Sequence, residues 1–311
     1  MKYSIVFPGQ GSQSLGMLSD LRSNFSVVNE IFQEASDAIN VDLWKIINED
    51  QELLSLTENT QPVMLAAGYA TYKVLAGEVN LTPISIAGHS LGEYTALVAS
   101  GSLSFFDAAQ LVRKRAELMQ AAVPNGSGSM AAILGLDDAR VIEICLKASD
   151  KGVVEAVNFN SPGQVVIAGE KKAVAHACEL MKEAGAKRAL VLPVSVPSHC
   201  SLMKDAAKEF KSSVDNINFQ MGSEKVLHNV DADYSSNIEE IKSKLVEQLH
   251  KPVLWTSTVQ KMKESGVEKL IEAGPGKVLA GLTRRIDKSL SGSAIIDLTS
   301  LKSTIEEISN A

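Results

Sequence analysis

Residues 84–100 read ISIAGHSLGEYTALVAS. Ile84–Ala87 is a short apolar run of strand character that stops at Gly88. Leu91–Ser100 has helical character, and its small residues permit close packing. Between them lies a G-x-S-x-G turn, Gly88-His89-Ser90-Leu91-Gly92. Strand, tight turn, helix is the order of an α/β architecture. In that setting the turn has the form of a nucleophile elbow. A side chain at either flanking glycine would collide with the neighbouring strand or helix. The turn exposes the serine hydroxyl and sets the next amide, that of Leu91, at a helix N-terminus, where a developing oxyanion is stabilised. A packing turn of small residues has the same five letters. Ser90 is therefore a candidate nucleophile that the rest of the chain must support.

Working outward, Tyr3–Phe7 is expected to be a first buried strand, ended by Pro8-Gly9 and followed by the loop PGQGSQSLG over 8–16. Helical patterns cover 25–40, 41–55 and 61–77, the last with Asn59 or Thr60 as cap and Pro62 in its first turn. A further helix over 105–122 carries Arg113-Lys114-Arg115. The composition changes at Pro124–Ser129, a candidate boundary. Beyond it the pattern predicts a strand at 130–134, a helix at 137–149 and strands at 153–157 and 164–168 around Asn158–Gly163. A helix at 171–184 and a strand at 187–194 follow. This is a βαββαβ, ferredoxin-like unit. After Pro197 helices resume, with a strand at 267–271, a turn over Glu272–Gly276 and a helix to 286. The last dozen residues read as a closing helix or a frayed tail. The expected organisation is a large α/β unit, 1–125 and 198–311, interrupted by the small one at 126–197.

The 311 residues, 45% apolar and 22% charged, can bury a sizeable core. With aromatics at 5%, that core must rest on Ala, Val, Ile and Leu. A net charge of −7 argues against a general nucleic-acid binder, which needs a basic face. Cys145, Cys178 and Cys200 have no C-x-x-C spacing, so neither a disulfide framework nor a zinc site is expected, and a reducing compartment is. The opening MKYSIVFPGQ has too short an apolar run for a signal peptide, and no stretch reaches the roughly 20 apolar residues of a membrane helix.

A nucleophilic serine needs a base. Of the five histidines, His89 adjoins Ser90, and neighbours on a tight turn point apart. His176 lies among lysines in a helical run; His228 and His250 have no distinctive setting. His199 sits in Val194–Cys200, VSVPSHC, a strand end, a proline-stiffened turn and a helix start. Loop positions on a rigid scaffold favour active-site groups. His199 is the preferred base, with a structural capping role still open.

Four ordered motifs now stand together: FPGQGSQ (7–13), GHSLGEY (88–94), VSVPSHC (194–200) and EAGPGKVL (272–279). In this order and spacing the chain resembles the malonyl-CoA:acyl carrier protein transacylases of bacterial-type fatty acid synthesis, and the related acyltransferase domains of polyketide synthases. The resemblance covers about residues 3–286. It implies an α/β-hydrolase-like large subdomain with a parallel sheet and an inserted ferredoxin-like one. It also implies roles. Ser90 matches the acylated serine and His199 its base. Gln10 and Leu91 match the oxyanion-hole amides. Arg115 matches the arginine that grips the malonyl carboxylate, while Arg113 and Lys114 do not. Gln248 matches the residue whose main-chain carbonyl orients the histidine; Asn160 and Gln61 match positions near the pocket, where buried loop-capping amides would look the same.

The implied reaction is ping-pong transfer of malonyl from malonyl-CoA, through a malonyl-serine, to the phosphopantetheine thiol of acyl carrier protein. It implies no cofactor and no metal, a cytoplasmic monomer, and no nucleic-acid or membrane partner. Asp107, Asp137, Asp138 and Asp150 lie between Ser90 and His199, but none sits in a strand-end turn like an α/β-hydrolase acid. A Ser–His dyad held by a backbone carbonyl is expected instead. Ser198, before the histidine, leaves malonyl and methylmalonyl unresolved, with malonyl favoured. An acidic carrier protein needs a local basic patch. Lys187-Arg188 and Arg284-Arg285 are candidates, against solvated charge. A thioesterase on the same elbow, an acyltransferase using another extender unit, and a catalytically silent scaffold are the rival readings.

Overall fold

The structure is a computed structural model that describes residues 1–194 and 196–310. Ser195, within the motif that carries His199, and Ala311 lie outside the described residues. The chain begins with β1 (Tyr3–Phe7), then α1 (Ser19–Asn24), α2 (Ser26–Ile39), α3 (Leu43–Glu49), α4 (Gln51–Ser55) and α5 (Thr57–Glu78). β2 (Ile86–Gly88) leads into α6 (Gly92–Ala99), and α7 (Phe105–Ala121) follows. Next come β3 (Gly128–Leu134), α8 (Asp138–Ala148), β4 (Val154–Ser161), β5 (Gln164–Glu170), α9 (Lys171–Glu183) and β6 (Arg188–Val191). The chain continues with α10 (Lys204–Asp215), β7 (Val226–Leu227), α11 (Ile238–Gln248) and α12 (Trp255–Glu264). It closes with β8 (Lys269–Ala273), α13 (Val278–Ile286), β9 (Ser291–Ile295) and α14 (Leu298–Ser309).

Strand residues alternate between two faces, and in the central strands both faces are apolar. Ile5 and Phe7 of β1, with Ile271 and Ala273 of β8, pack against α2, α5, α6 and α7. Val6, Ala87, Leu227 and Leu270 face the other way, onto Trp255, Val259 and Met262 of α12 and Leu279 and Leu282 of α13. Burial on both faces suits parallel pairing. The sheet is parallel, in the order β7-β2-β1-β8-β9. The second sheet is antiparallel, in the order β4-β5-β3-β6, with its strands between α7 and α10 in the chain. Ala131, Ile133, Val165 and Ile167 bury one of its faces against α8 and α9. Met130, Val157, Val166 and Ala168 cover Cys200, the neighbour of His199, on the other. Backbone bonds tie the two sheets' regions together: Phe159 N–H donates to Val253 O at 3.0 Å, and Val253 N–H to Val157 O at 2.8 Å. The fold is the expected one, a parallel α/β sheet with a βαββαβ unit set into it.

Several element boundaries differ from the expectation. α5 begins at Thr57, so Asn59 and Thr60 lie inside it and Pro62 is its sixth residue. Proline there has no N–H for Glu58 O. Arg113 Nη1 donates to that carbonyl instead, at 3.2 Å. The 41–55 helix is broken at Asp50, whose carboxylate caps α4 through Leu53 N–H. Asn158–Ser161 belongs to β4, which is bulged at 156/158 and 159/161, leaving Pro162-Gly163 as the turn. The strand expected at 267–271 runs from Lys269 to Ala273, which takes in Glu272 and Ala273. β7 and β9 were not expected: one has two residues and the other is rich in Ser and Gly. The tail is a helix, α14, started by an Asp297–Ser300 capping box.

Candidate active site

The elbow joins β2 to α6, and the packing explains its glycines. A Cβ on Gly88 would lie 1.8 Å from the Gly92 carbonyl carbon, and one on Gly92 would lie 2.1 Å from Phe7 O. His89 N–H donates to Phe7 O at 3.0 Å, so the end of β1 and its loop lie against the turn. Ser90 is held at φ 51°, in the left-handed region. That conformation costs a non-glycine residue about 1–2 kcal/mol, here at the nucleophile position. Asn229 braces the turn: Ser90 N–H donates to its Oδ1 at 2.6 Å, and its Nδ2 donates to Gly88 O at 2.7 Å.

The last carbonyls of a helix have no partner within it. Those at the end of α11 hold His199. Its backbone N–H donates to Leu249 O at 3.0 Å, and its Nδ1 donates to Gln248 O at 2.7 Å. A carbonyl only accepts, so the proton of the neutral ring lies on Nδ1 and Nε2 is left as acceptor. Ser90 Oγ is 2.7 Å from Nε2. His199 is buried and also left-handed, at φ 66°. Burial first, and the Arg115 charge second, push its imidazole down to about 3. It is neutral at pH 7, as a proton acceptor must be.

Arg115, on α7, is 1% exposed. Its Nη1 donates to Gln61 Oε1 at 2.8 Å; its Nη2 donates to Gln248 Oε1 at 3.0 Å and to Ser90 Oγ at 3.2 Å. All three acceptors are neutral. Its Nε has no partner, and among the described residues it makes no ion pair. The guanidinium carbon lies 5.4 Å from the Tyr94 ring centroid. Burial lowers its affinity for a proton, but a guanidinium stays charged in proteins.

The remaining sequence candidates divide. Leu91 is buried at the start of α6, and its N–H bonds to no acceptor among the described residues. The Gln10 N–H is likewise without one, and its side chain donates to Thr57 Oγ1 at 3.4 Å. Gln61 bonds Arg115 directly. Asn160 does not reach Ser90; its Oδ1 accepts from His89 Nε2 at 2.8 Å. Gln248 contributes its side chain as well as its carbonyl, which the sequence did not suggest: Nε2 donates to Ser90 O at 3.0 Å and to Glu93 Oε2 at 2.7 Å. Glu93 and Asn229 were missed, and His228 was weighed only as a base and set aside. His228 Nδ1 lies 2.7 Å from Glu93 Oε1 and both residues are buried. The available signal was an acidic residue, Glu93, in a helical run otherwise made of apolar and small residues. Cys200 is buried and packed, donates to Pro197 O at 3.1 Å, and has its thiol pushed up to about 12 by burial, which disfavours the thiolate. A surface groove of about 860 Å³ lined by Arg22, Trp44 and Asp42 contains none of these residues.

Comparison with known proteins gives the same answer along the whole chain. A family model described as acyl transferase domain matches residues 4–300. The malonyl CoA-acyl carrier protein transacylase of Haemophilus influenzae is 51% identical over 307 residues, 98% of each chain. An acyl carrier protein S-malonyltransferase from Vibrio cholerae is 50% identical and superposes with a TM-score of 0.95, over 98% of this chain and 100% of that one. A malonyl-transacylase solved in complex with a type II polyketide synthase acyl carrier protein is 48% identical, with a TM-score of 0.97 over 99% and 100%. With a serine elbow, a neutral histidine and a buried arginine on this scaffold, the chain belongs to the malonyl-CoA:acyl carrier protein transacylase family.

Proposed function

We propose that this chain moves a malonyl group from malonyl-CoA to acyl carrier protein through an ester on Ser90. Ser90 Oγ attacks the thioester carbonyl as His199 Nε2 takes its proton. The tetrahedral oxyanion lies toward the Leu91 and Gln10 amides, each such donor being worth roughly 10²–10³ in rate in acyl-transfer sites. His199 returns the proton to the CoA sulfur, which leaves. In the second half, His199 takes the carrier thiol's proton as the sulfur attacks the ester carbonyl, and returns it to Ser90 Oγ as that oxygen leaves. Gln248 O holds the imidazole throughout, so among the described residues no carboxylate completes a triad: Glu93 bonds the Gln248 side chain, not His199. Asn160 and Gln61 act at one remove, through His89 and Arg115. We assign the small βαββαβ unit to 126–197 and the large one to the flanking segments. Three unpaired cysteines support a reducing, cytoplasmic setting; among the described residues no helix is long and apolar enough to cross a membrane.

One observation carries the choice of acyl group. Arg115 is a buried guanidinium with only neutral partners, 3.2 Å from the nucleophile. A carboxylate two carbons along the acyl chain supplies a directly paired anion, and the guanidinium fork donates to it bidentately. The test is intact-protein mass spectrometry after brief mixing with malonyl-CoA or acetyl-CoA, with Ser90→Ala as control. The expected result is a malonyl adduct that needs Ser90, forms poorly from acetyl-CoA and disappears on adding holo carrier protein. An adduct that decays as fast in buffer alone would favour a thioesterase.

A further inference from the structure

Gln248 holds both the base and the arginine, and Glu93 holds Gln248. The Gln248 side-chain amide is fixed at three points: Nε2 to Glu93 Oε2 and to Ser90 O, and Oε1 to Arg115 Nη2. An amide has two nearly isosteric ends, and a half-turn about its last torsion exchanges them. Reversed, Gln248 would turn an NH₂ group toward a guanidinium, which has no acceptor, and an oxygen toward Glu93. Glu93 is itself locked, at 0% exposure, by His228 Nδ1 at 2.7 Å and Asn229 N–H at 3.0 Å. Its two oxygens thus face three nitrogens. It bonds neither Ser90 Oγ, His199 nor Arg115 among the described residues.

We propose that Glu93 is a positioning residue for acyl-group selection: it fixes the Gln248 amide with its oxygen toward Arg115 and so aims the guanidinium fork at the acyl carboxylate. The inference rests on the reading of Arg115 given above. Acting through Gln248, Glu93 favours acyl groups that end in a carboxylate over those that do not. A purely structural role would slow every acyl group alike.

The experiment measures single-turnover acylation of Ser90 by malonyl-CoA and by acetyl-CoA, and reads their ratio within each variant. The ratio cancels any loss of folded protein and any displacement of Ser90 or His199. Glu93→Met removes the acceptor, and the malonyl-to-acetyl ratio is expected to fall about 10- to 100-fold, the scale of one lost hydrogen bond to a charged group. Glu93→Gln keeps a neutral acceptor of about half the strength and should lower the ratio about 3- to 10-fold. If Glu93→Met does not fold, Glu93→Gln decides alone. A ratio unchanged in the folded variants, with both rates falling together or neither falling, overturns the proposal. Arg115→Ala separates the two readings. If it leaves the ratio unchanged, the clamp fails and the Glu93 role with it. If it lowers the ratio while the Glu93 variants do not, only the Glu93 role fails.

Discussion

A guanidinium taken out of water costs several kcal/mol unless it is paired; among the described residues Arg115 hydrogen-bonds neutral oxygens only, and the Glu93 charge acts on it through space. Arg115→Ala is therefore expected to slow malonyl transfer about 10²–10³-fold, the scale of losing one member of a buried charge pair, and to change acetyl transfer far less. Paired acylation rates check this; equal losses contradict it. The same charge acts on His199. A cation beside an imidazole disfavours its protonation, and burial adds to this, so the ring is pushed down to about 3. The acid limb of the free enzyme's acylation profile should lie well below the ordinary histidine value of about 6.5. Removing Arg115 takes away a lowering influence, so the limb should move upward in Arg115→Ala, measured with acetyl-CoA. A wild-type limb at about 6.5 would mean that the base is solvated during turnover.

The elbow is decided by close approach between elements. Gly92 tolerates no side chain, because a Cβ there falls 2.1 Å from Phe7 O on the adjoining strand. Gly92→Ala should cost about 1–3 kcal/mol or more through forced backbone shifts. Gly281, within α13, would place its Cβ with nothing inside 4 Å. Gly281→Ala should stabilise by about 0.5–1 kcal/mol through helix propensity. Urea unfolding of the two variants measures both; a Gly92→Ala protein as stable as wild type contradicts the packing account. At this scale the sequence was informative where an apolar pattern ran between clear turn signals. β1 and the helices α2, α6, α7, α8 and α9 are where the patterns place them. The start of α5 was not legible, since Pro62 marks a first turn by local rules. Arg113, far along the chain, takes the carbonyl that the proline leaves free. β7 and β9 have too little apolar alternation to announce themselves and exist because a neighbouring strand is there to pair with.

Across the whole molecule, buried titratable groups link stability to pH. Glu272, on β8 beneath α13, is fully buried; its Oε2 accepts from Ala280 N–H at 2.8 Å and its Oε1 has no partner among the described residues. Burial pushes it up to about 7, against the opposing pull of the helix amides. Between the unfolded value of 4.5 and about 7 the folded state binds the extra proton. The Glu272 contribution is therefore full below 4.5 and is lost as pH rises through 7. His199 has the opposite sign: the unfolded chain protonates below about 6.5 and the folded one resists. Comparing wild type with Glu272→Gln isolates the first term. The stability of wild type relative to the variant should fall by up to about 3 kcal/mol from pH 4.5 to above pH 7. A pH-independent difference between the two unfolding curves contradicts it.

The sequence by itself determined what near neighbours in the chain control. The strand–turn–helix at Ser90, its flanking glycines, the βαββαβ order and the preference for His199 all follow from periodicity, turn chemistry and a proline-stiffened loop. The motifs added the family resemblance. Only the tertiary structure decided how the site is held. Arg115 meets Gln61 across 54 residues and Gln248 across 133, and Glu93 meets His228 across 135. Such bonds leave no period in the sequence. They form because α5, α6, α7, the end of α11 and the segment after β7 bring these side chains together in the interior, where a buried polar group must find a partner or not be there at all.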